Sequence, residues 1–228
     1  LAGCGDLAAA DAQGDGWKFN FTPYVWGTSL KGSVASLPGV PPADIDVSLS
    51  DILSNLDIGL MGVGGARKGR FALFGDLFYS RITSDSDTLG RLFSEADYQQ
   101  TLTFASAGVS WRVLDEDAYH ISALAGLRYY RLDNKLKLAG AALPTTKIDH
   151  TEDWLDPVIG LQARFRLATN WYASARVTTA IAGDSDTAYG LFGGIGYVFN
   201  KSISTVVGYR YMKLDYENGD FLFDVEMT

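Results

Sequence analysis

The sequence predicts an all-β protein, an antiparallel up-and-down transmembrane β-barrel of about ten strands, and three observations carry that expectation. Apolar and polar residues alternate with period two through most of the 228 residues, which is the pattern of two-faced strands rather than of helices. The connections between these stretches are by turns short and long, as in an outer-membrane barrel with tight periplasmic turns and longer outer loops. Aromatic residues gather near both ends of the strands on one face, where amphipathic rings favour a membrane–water interface.

The first fifteen residues read as the remnant of an export signal or an N-terminal tail. The chain's one cysteine lies in Leu1-Ala2-Gly3-Cys4, which matches a lipobox, whereas Ala10-Asp11-Ala12 before Gln13 fits a signal-peptide cleavage site. Cleavage is the favoured reading because it places the mature start just before the first strand. Without an initiating Met or a charged leading segment, the upstream part of the signal is expected to be missing.

Residues 16–228 form the expected single domain, with strands near 17–34, 57–67, 70–83, 97–113, 119–137, 154–168, 171–183, 189–199, 203–216 and 220–228. Two strands show the alternation best. Trp171, Ala173, Ala175, Val177, Thr179 and Ile181 share one face, opposite Tyr172, Ser174, Arg176 and Thr178. Ile159, Leu161, Ala163, Phe165 and Leu167 oppose Gly160, Gln162, Arg164 and Arg166. The strands at 57–67 and 97–113 are poorly phased, as β-bulges would make them. In the first long loop, Leu49, Ile52, Leu53 and Leu56 have the spacing of a short amphipathic helix packed on the rim, with Ser50 as its cap. No run of about eighteen apolar residues is present, so a spanning helix is excluded; a barrel strand shows lipid only every second side chain and needs no such run.

The outward face is assigned by two aromatic girdles. Trp17, Phe71, Trp111, Tyr119, Trp171 and Phe199 lie beside the short turns, and Tyr79, Tyr129, Tyr189, Tyr211 and Phe221 lie toward the other end. Ten residues from Tyr119 to Tyr129 span roughly 33 Å along a strand, or roughly 25 Å along the membrane normal after a tilt of about 40°, which matches an apolar band. A soluble β-sandwich or a lipocalin-like ligand-binding barrel also alternates, but neither requires the girdles.

Opposite the girdles, the inward face would carry a charge network of Asp76, Arg128, Asp156, Arg164, Arg176, Arg210, Asp224 and Glu226, with Arg166 beside it. Buried charges are tolerable only when paired or hydrated. A three-residue loop Glu217-Asn218-Gly219 in the last hairpin, with Gly219 left-handed, would put Arg210 opposite Glu226 and Met212 opposite Asp224. The preceding hairpin, turning at Asn200-Lys201-Ser202, puts Phe192 opposite Arg210. Small barrels fill with side chains, so a closed or barely conducting interior is expected, with a narrow pore for a small solute as the alternative.

Other chemistry is weaker in the sequence. His150 lies among Asp149, Glu152 and Asp153, so a barrel enzyme, protease or lipid-modifying, with His150 as general base at the outer rim is a second reading; the spacing is not diagnostic and a solvated acidic loop is commoner. His120 follows a short turn and faces inward. Asp-Ser-Asp-Thr occurs at 84–90 and at 183–190 without a full calcium-loop pattern, and polar turns explain it better. No cofactor or metal motif is found, and a net charge of −8 argues against nucleic acid as a partner.

The stretches "GWKFNFTPYVWG", "WLDPVIGLQARFRL" and "GYRYMKLDYENGDFLFDV" resemble a family of small outer-membrane β-barrel proteins of Gram-negative bacteria. The resemblance runs through most of the chain from Gly16 onward. It implies an outer-membrane location and contact with outer-membrane lipid, but no substrate, because its motifs are architectural. Such barrels usually finish on a terminal aromatic, whereas this sequence finishes on "DVEMT". A last strand that is short by about ten residues follows as an expectation, and with it a first strand that pairs with 220–228 over only part of its length.

Overall fold

The computed structural model describes residues 16–35, 41–86, 93–140, 144–200 and 202–228. The tail with Cys4 and part of the first Asp-Ser-Asp-Thr stretch lie outside the described residues. Among the described residues the fold is all-β: twelve strands make one antiparallel, up-and-down sheet. In chain order these are β1 (Lys18–Pro23), β2 (Leu30–Ala35), β3 (Ala43–Val47), β4 (Leu56–Lys68), β5 (Phe71–Ser86), β6 (Phe93–Asp115), β7 (Tyr119–Gly140), β8 (Thr146–Arg166), β9 (Trp171–Ala180), β10 (Thr187–Val198), β11 (Ser204–Asn218) and β12 (Phe221–Met227). One short helix, α1 (Leu49–Ser54), lies between β3 and β4.

Twelve strands replace the ten expected, and their hydrogen-bonded order is open, running from β1 through β4 to β12 and then to β2 and β3. Both extra strands come from the first fifty residues. The single strand expected at 17–34 breaks after Pro23. There Tyr24 N–H still donates to Met61 O at 3.1 Å, but Trp26 N–H reaches only the Met61 Sδ at 3.2 Å. The halves then part company: β1 pairs with β4, whereas β2 pairs with β12 on one side and β3 on the other. β3 lies in what reads as loop, because Ala43–Val47 adds a short hairpin partner to β2. The described residues of the loops expected at 84–96 and 138–153 are largely strand, since β5 to β8 run on past Tyr79 and Tyr129 in register.

The stretches expected to be bulged, 57–67 and 97–113, carry register shifts at one end each, at Leu56/Ile58 in β4 and Arg112/Leu114 in β6, and pair regularly through their middles; a further shift at Phe93/Glu95 lies outside them. α1 forms where the leucine spacing places it, but Ser48 rather than Ser50 is its cap. The Ser48 hydroxyl accepts from Asp51 N–H, and the Asp51 carboxylate accepts from Ser48 N–H at 3.1 Å, closing a capping box. Leu49 packs over Gly27 in the strand break, where an added Cβ would lie 3.1 Å from Leu49 Cδ1.

The sheet is strongly curled. Asp76 on β5 approaches Arg210 on β11 to 4.0 Å although six steps of the sheet order separate their strands. The concave face is therefore an interior, and the alternation assigns side chains to it: Tyr172, Ser174 and Thr178 on β9 are buried while Trp171 and Val177 are exposed. We call the end with the short turns near 69, 117, 169 and 201 the lower end.

Candidate functional site

The interior has two storeys of different chemistry. Its upper part is a dry stack of rings on β5, β6, β7, β8 and β11. Phe78 and Phe104 lie 5.3 Å apart, Phe104 and Tyr130 5.4 Å, Tyr130 and Trp154 5.1 Å, and Trp154 stacks flat on Tyr216 at 3.9 Å. Each ring has outward-facing residues immediately before and after it in its strand, and the rings fall on the inward parity that a period of two assigns. Leu132, Met212, Leu214, Phe223, Val225 and Met227 fill the space around them. These rings contribute to packing beyond their buried area, by about 1 kcal/mol for a well-placed pair.

Below the rings lie the arginines. Arg210 donates to the Tyr24 hydroxyl at 3.1 Å and lies 4.5 Å over the Trp26 ring. Tyr24 in turn donates to Asp76 at 2.9 Å. Arg128 donates to Ser106 at 3.0 Å and Thr178 at 3.3 Å. Arg176 is held by the Gln162 side-chain oxygen at 2.7 Å, and Arg164 lies 3.7 Å over the Tyr172 ring. Asp156 faces Arg128 in the ladder, and its Oδ1 also accepts from the N–H groups of Asp184 and Ser185 at 3.0 and 3.1 Å. The 183–187 stretch of the second Asp-Ser-Asp-Thr motif is thus a turn wrapped on a buried carboxylate. Gly183, with φ of +110° and only 2.5 Å from an added Cβ to Asp156 Oδ1, makes the approach possible.

Two members of the expected network do not belong to it. The last hairpin turns on Gly219-Asp220, not on Glu217-Asn218-Gly219, so Met212 pairs with Met227, Leu214 with Val225 and Tyr216 with Phe223. That register differs from the expected one by an odd number, which reverses the face of β12. Asp224 and Glu226 point outward, where Asp224 bonds Lys213, and Glu226 is not opposite Arg210. Phe221 moves the other way: expected in the outer girdle, it is 4 % exposed and packs on Trp154 and Tyr216. The preceding hairpin does pair Phe192 with Arg210. Among the other girdle residues, Trp17, Trp111, Trp171 and Phe199 are exposed, and Tyr189 meets Tyr211 at 5.9 Å. Phe71 packs on Trp17, Tyr119 on Phe165, and Tyr79 and Tyr129 alternate with buried Phe78, Ser80, Arg128 and Tyr130.

At the upper rim, His150 Nε2 is 3.2 Å from Glu152, while Asp149 and Asp153 sit on the opposite face of β8. Glu152 also takes weak bonds from Tyr216 and Asn218, and the His150 ring lies 5.7 Å from Phe221. The cluster ties β8 to the last hairpin. His120 pairs with Asp115 across the β6–β7 turn at 2.7 Å. Sequence reasoning missed Tyr24 and Trp26, the residues that hold Arg210, and it missed the ring stack; the signal for both is the even numbering that these aromatics share with the inward-facing arginines. Comparison with protein-family models and with curated proteins finds no match.

Proposed function

We propose that the chain is a ten-stave outer-membrane β-barrel, closed to solutes, that serves as a structural and surface-interaction element of a Gram-negative envelope. Inverted polarity is the observation that carries this reading. Arg128 and Arg164 are buried on the inner face at 8 % and 4 %, whereas Leu60, Leu161, Leu127, Ile159, Val177 and Ile195 stand exposed on the outer face. A water-soluble sheet arranged this way would discard apolar burial worth about 2 kcal/mol for each large side chain, and lipid recovers it. Ten staves follow if β1 and β2 are two halves of one strand interrupted at 24–29, and β3 and β4 two halves of another interrupted by α1. The ring stack favours a closed interior over a pore. Above the apolar belt, the outer face of β6, β7 and β8 turns charged, with Lys137 bonded to Asp97 and Arg131 to Asp133, which suits contact with the aqueous surroundings.

The test uses the tryptophans. Trp17, Trp111 and Trp171 are 45 %, 53 % and 48 % exposed in the lower girdle, while Trp154 is 3 % exposed. In vesicles of brominated lipid, a protein retaining only Trp154 keeps its fluorescence, whereas one retaining only Trp111 or Trp171 is strongly quenched. Equal protection of all three, or failure to partition into vesicles, defeats the membrane reading.

A further inference from the structure

Beneath the ring stack lies a small cavity of about 30 Å³ whose lining includes Arg128 of β7, Arg176 and Thr178 of β9, and Gly190 of β10. Gly190 makes the room. It pairs with Thr178 on one side and Met212 on the other, and a Cβ in its place would lie 3.2 Å from the Thr178 hydroxyl. Asp76 and Arg210 also border the cavity, but they answer one another through Tyr24. Arg128 and Arg176 are left to neutral acceptors: Arg128 donates to Ser106 and Thr178, and Arg176 donates through Nε and Nη2 to the one Gln162 oxygen, at 3.2 and 2.7 Å. Among the described residues neither is in ion-pair contact with a carboxylate. Asp156, across the ladder from Arg128, turns its Oδ1 to the N–H groups of Asp184 and Ser185. Thr178 is 6 % exposed, and its oxygen accepts from Arg128 at 3.3 Å, so its own hydrogen is a buried donor at the cavity wall with no acceptor among the described residues.

We propose that this cavity binds one small monovalent anion of halide size, held by Arg128, Arg176 and the Thr178 hydroxyl. All three groups offer hydrogens: a guanidinium carries only donors, and a hydroxyl that already accepts from one is set to donate. Two cations facing one cavity in a low-dielectric interior repel each other. A water molecule fits the same space, but it brings an acceptor without a charge. An anion brings both, and charge-assisted bonds replace the hydration it gives up. Volume selects within the class, because a space of about 30 Å³ takes a single-atom anion and excludes an organic acid. Once bound, the ion is a fixed counter-charge that ties β7 to β9 across β8. The inference needs the curled interior but not contact with lipid, so it goes beyond the closed-barrel reading.

The experiment follows the chloride NMR line, and urea unfolding at constant ionic strength in chloride, bromide or gluconate, for the full chain in detergent micelles. The protein is expected to broaden the chloride line saturably, and chloride and bromide raise the unfolding midpoint while gluconate does not. Arg176→Gln removes both effects. Gly190→Ala leaves every charge in place and fills the space, so it weakens chloride binding roughly tenfold or more, and it serves as the decisive variant if Arg176→Gln fails to fold. An unbroadened line means that water alone occupies the cavity and overturns the proposal. An equal midpoint shift in gluconate means general screening, and undiminished binding in Gly190→Ala places the anion elsewhere; either result overturns it too. Failed tryptophan quenching in vesicles, with chloride binding intact, defeats the membrane reading alone.

Discussion

Arg210 shows how the interior tolerates charge. Its carboxylate neighbour, Asp76, stands at the limit of direct pairing, and the Tyr24 hydroxyl bridges the two by accepting from Arg210 and donating to Asp76. Most of the other interior arginines lean on neutral groups, on hydroxyls, an amide oxygen or a ring face. Such contacts satisfy donors without matching charge, so removing one member leaves the rest underserved. Arg210→Met is expected to lower stability in detergent micelles by about 2–3 kcal/mol, below the usual figure for a broken buried pair because both side chains keep some exposure. Asp76→Asn should cost a similar amount, and the double variant less than the sum. Urea unfolding of the four proteins measures the coupling, and strict additivity would mean that Tyr24, not the charge pair, holds this site together.

At the scale of elements, the α1 cap and the last hairpin respond to different forces. The Asp51 carboxyl is held below its ordinary value by the Ser48 side-chain and backbone hydrogen bonds. A depressed folded value means that the contribution is complete above the unfolded titration range and fades as pH falls through the folded value. Protection of the α1 amides against hydrogen exchange is therefore expected to drop below about pH 4. Ser48→Ala should reduce this dependence without abolishing it, because the backbone N–H of residue 48 still donates to Asp51, and should weaken the helix by about 1 kcal/mol, with little change in global unfolding, since no α1 residue is buried. The helix was legible because its leucine spacing is local. The alternation of β8 and β9 was legible for the same reason. The last hairpin was not, because Gly219 takes φ of +61° and suits either turn. Long-range packing decided between them: with the two-residue turn, Phe221, Phe223, Val225 and Met227 join the rings of Trp154 and Tyr216, and Asp224 and Glu226 go outward. Burying four apolar side chains outweighs giving Arg210 a second carboxylate. The apolar alternation of β12 carried that answer, but only to a reading that set the whole strand against the charge of one residue on its neighbour. The break after Pro23 was similarly hidden, since Tyr24, Trp26 and Thr28 keep the inward parity of a continuous strand while the ladder beneath them fails.

For the whole molecule, the charged and the ring-filled storeys of the interior lie at different heights, and this separates entry from conduction. The arginines lie in the lower half, whereas the ring stack crosses the upper half, so a solute entering from below meets Phe78, Phe104, Tyr130 and Trp154 before it reaches the rim. Single-channel recording of the protein in a planar bilayer is expected to show no discrete steps. Trp154→Ala with Tyr216→Ala removes the tightest stack, at 3.9 Å, and should cost about 3–5 kcal/mol for each ring before relaxation. If the strands hold, brief openings follow. Their selectivity is fixed in advance: Arg128, Arg176 and Arg210 line a small pocket with Asp76 as the one carboxylate among its lining residues, so anions should outpass cations, and the preference should fall when Arg176 is replaced by Gln. Steady conductance in the unsubstituted protein would show that the rings move aside as a gate. Cation preference in the double variant would place the permeation path away from the arginines.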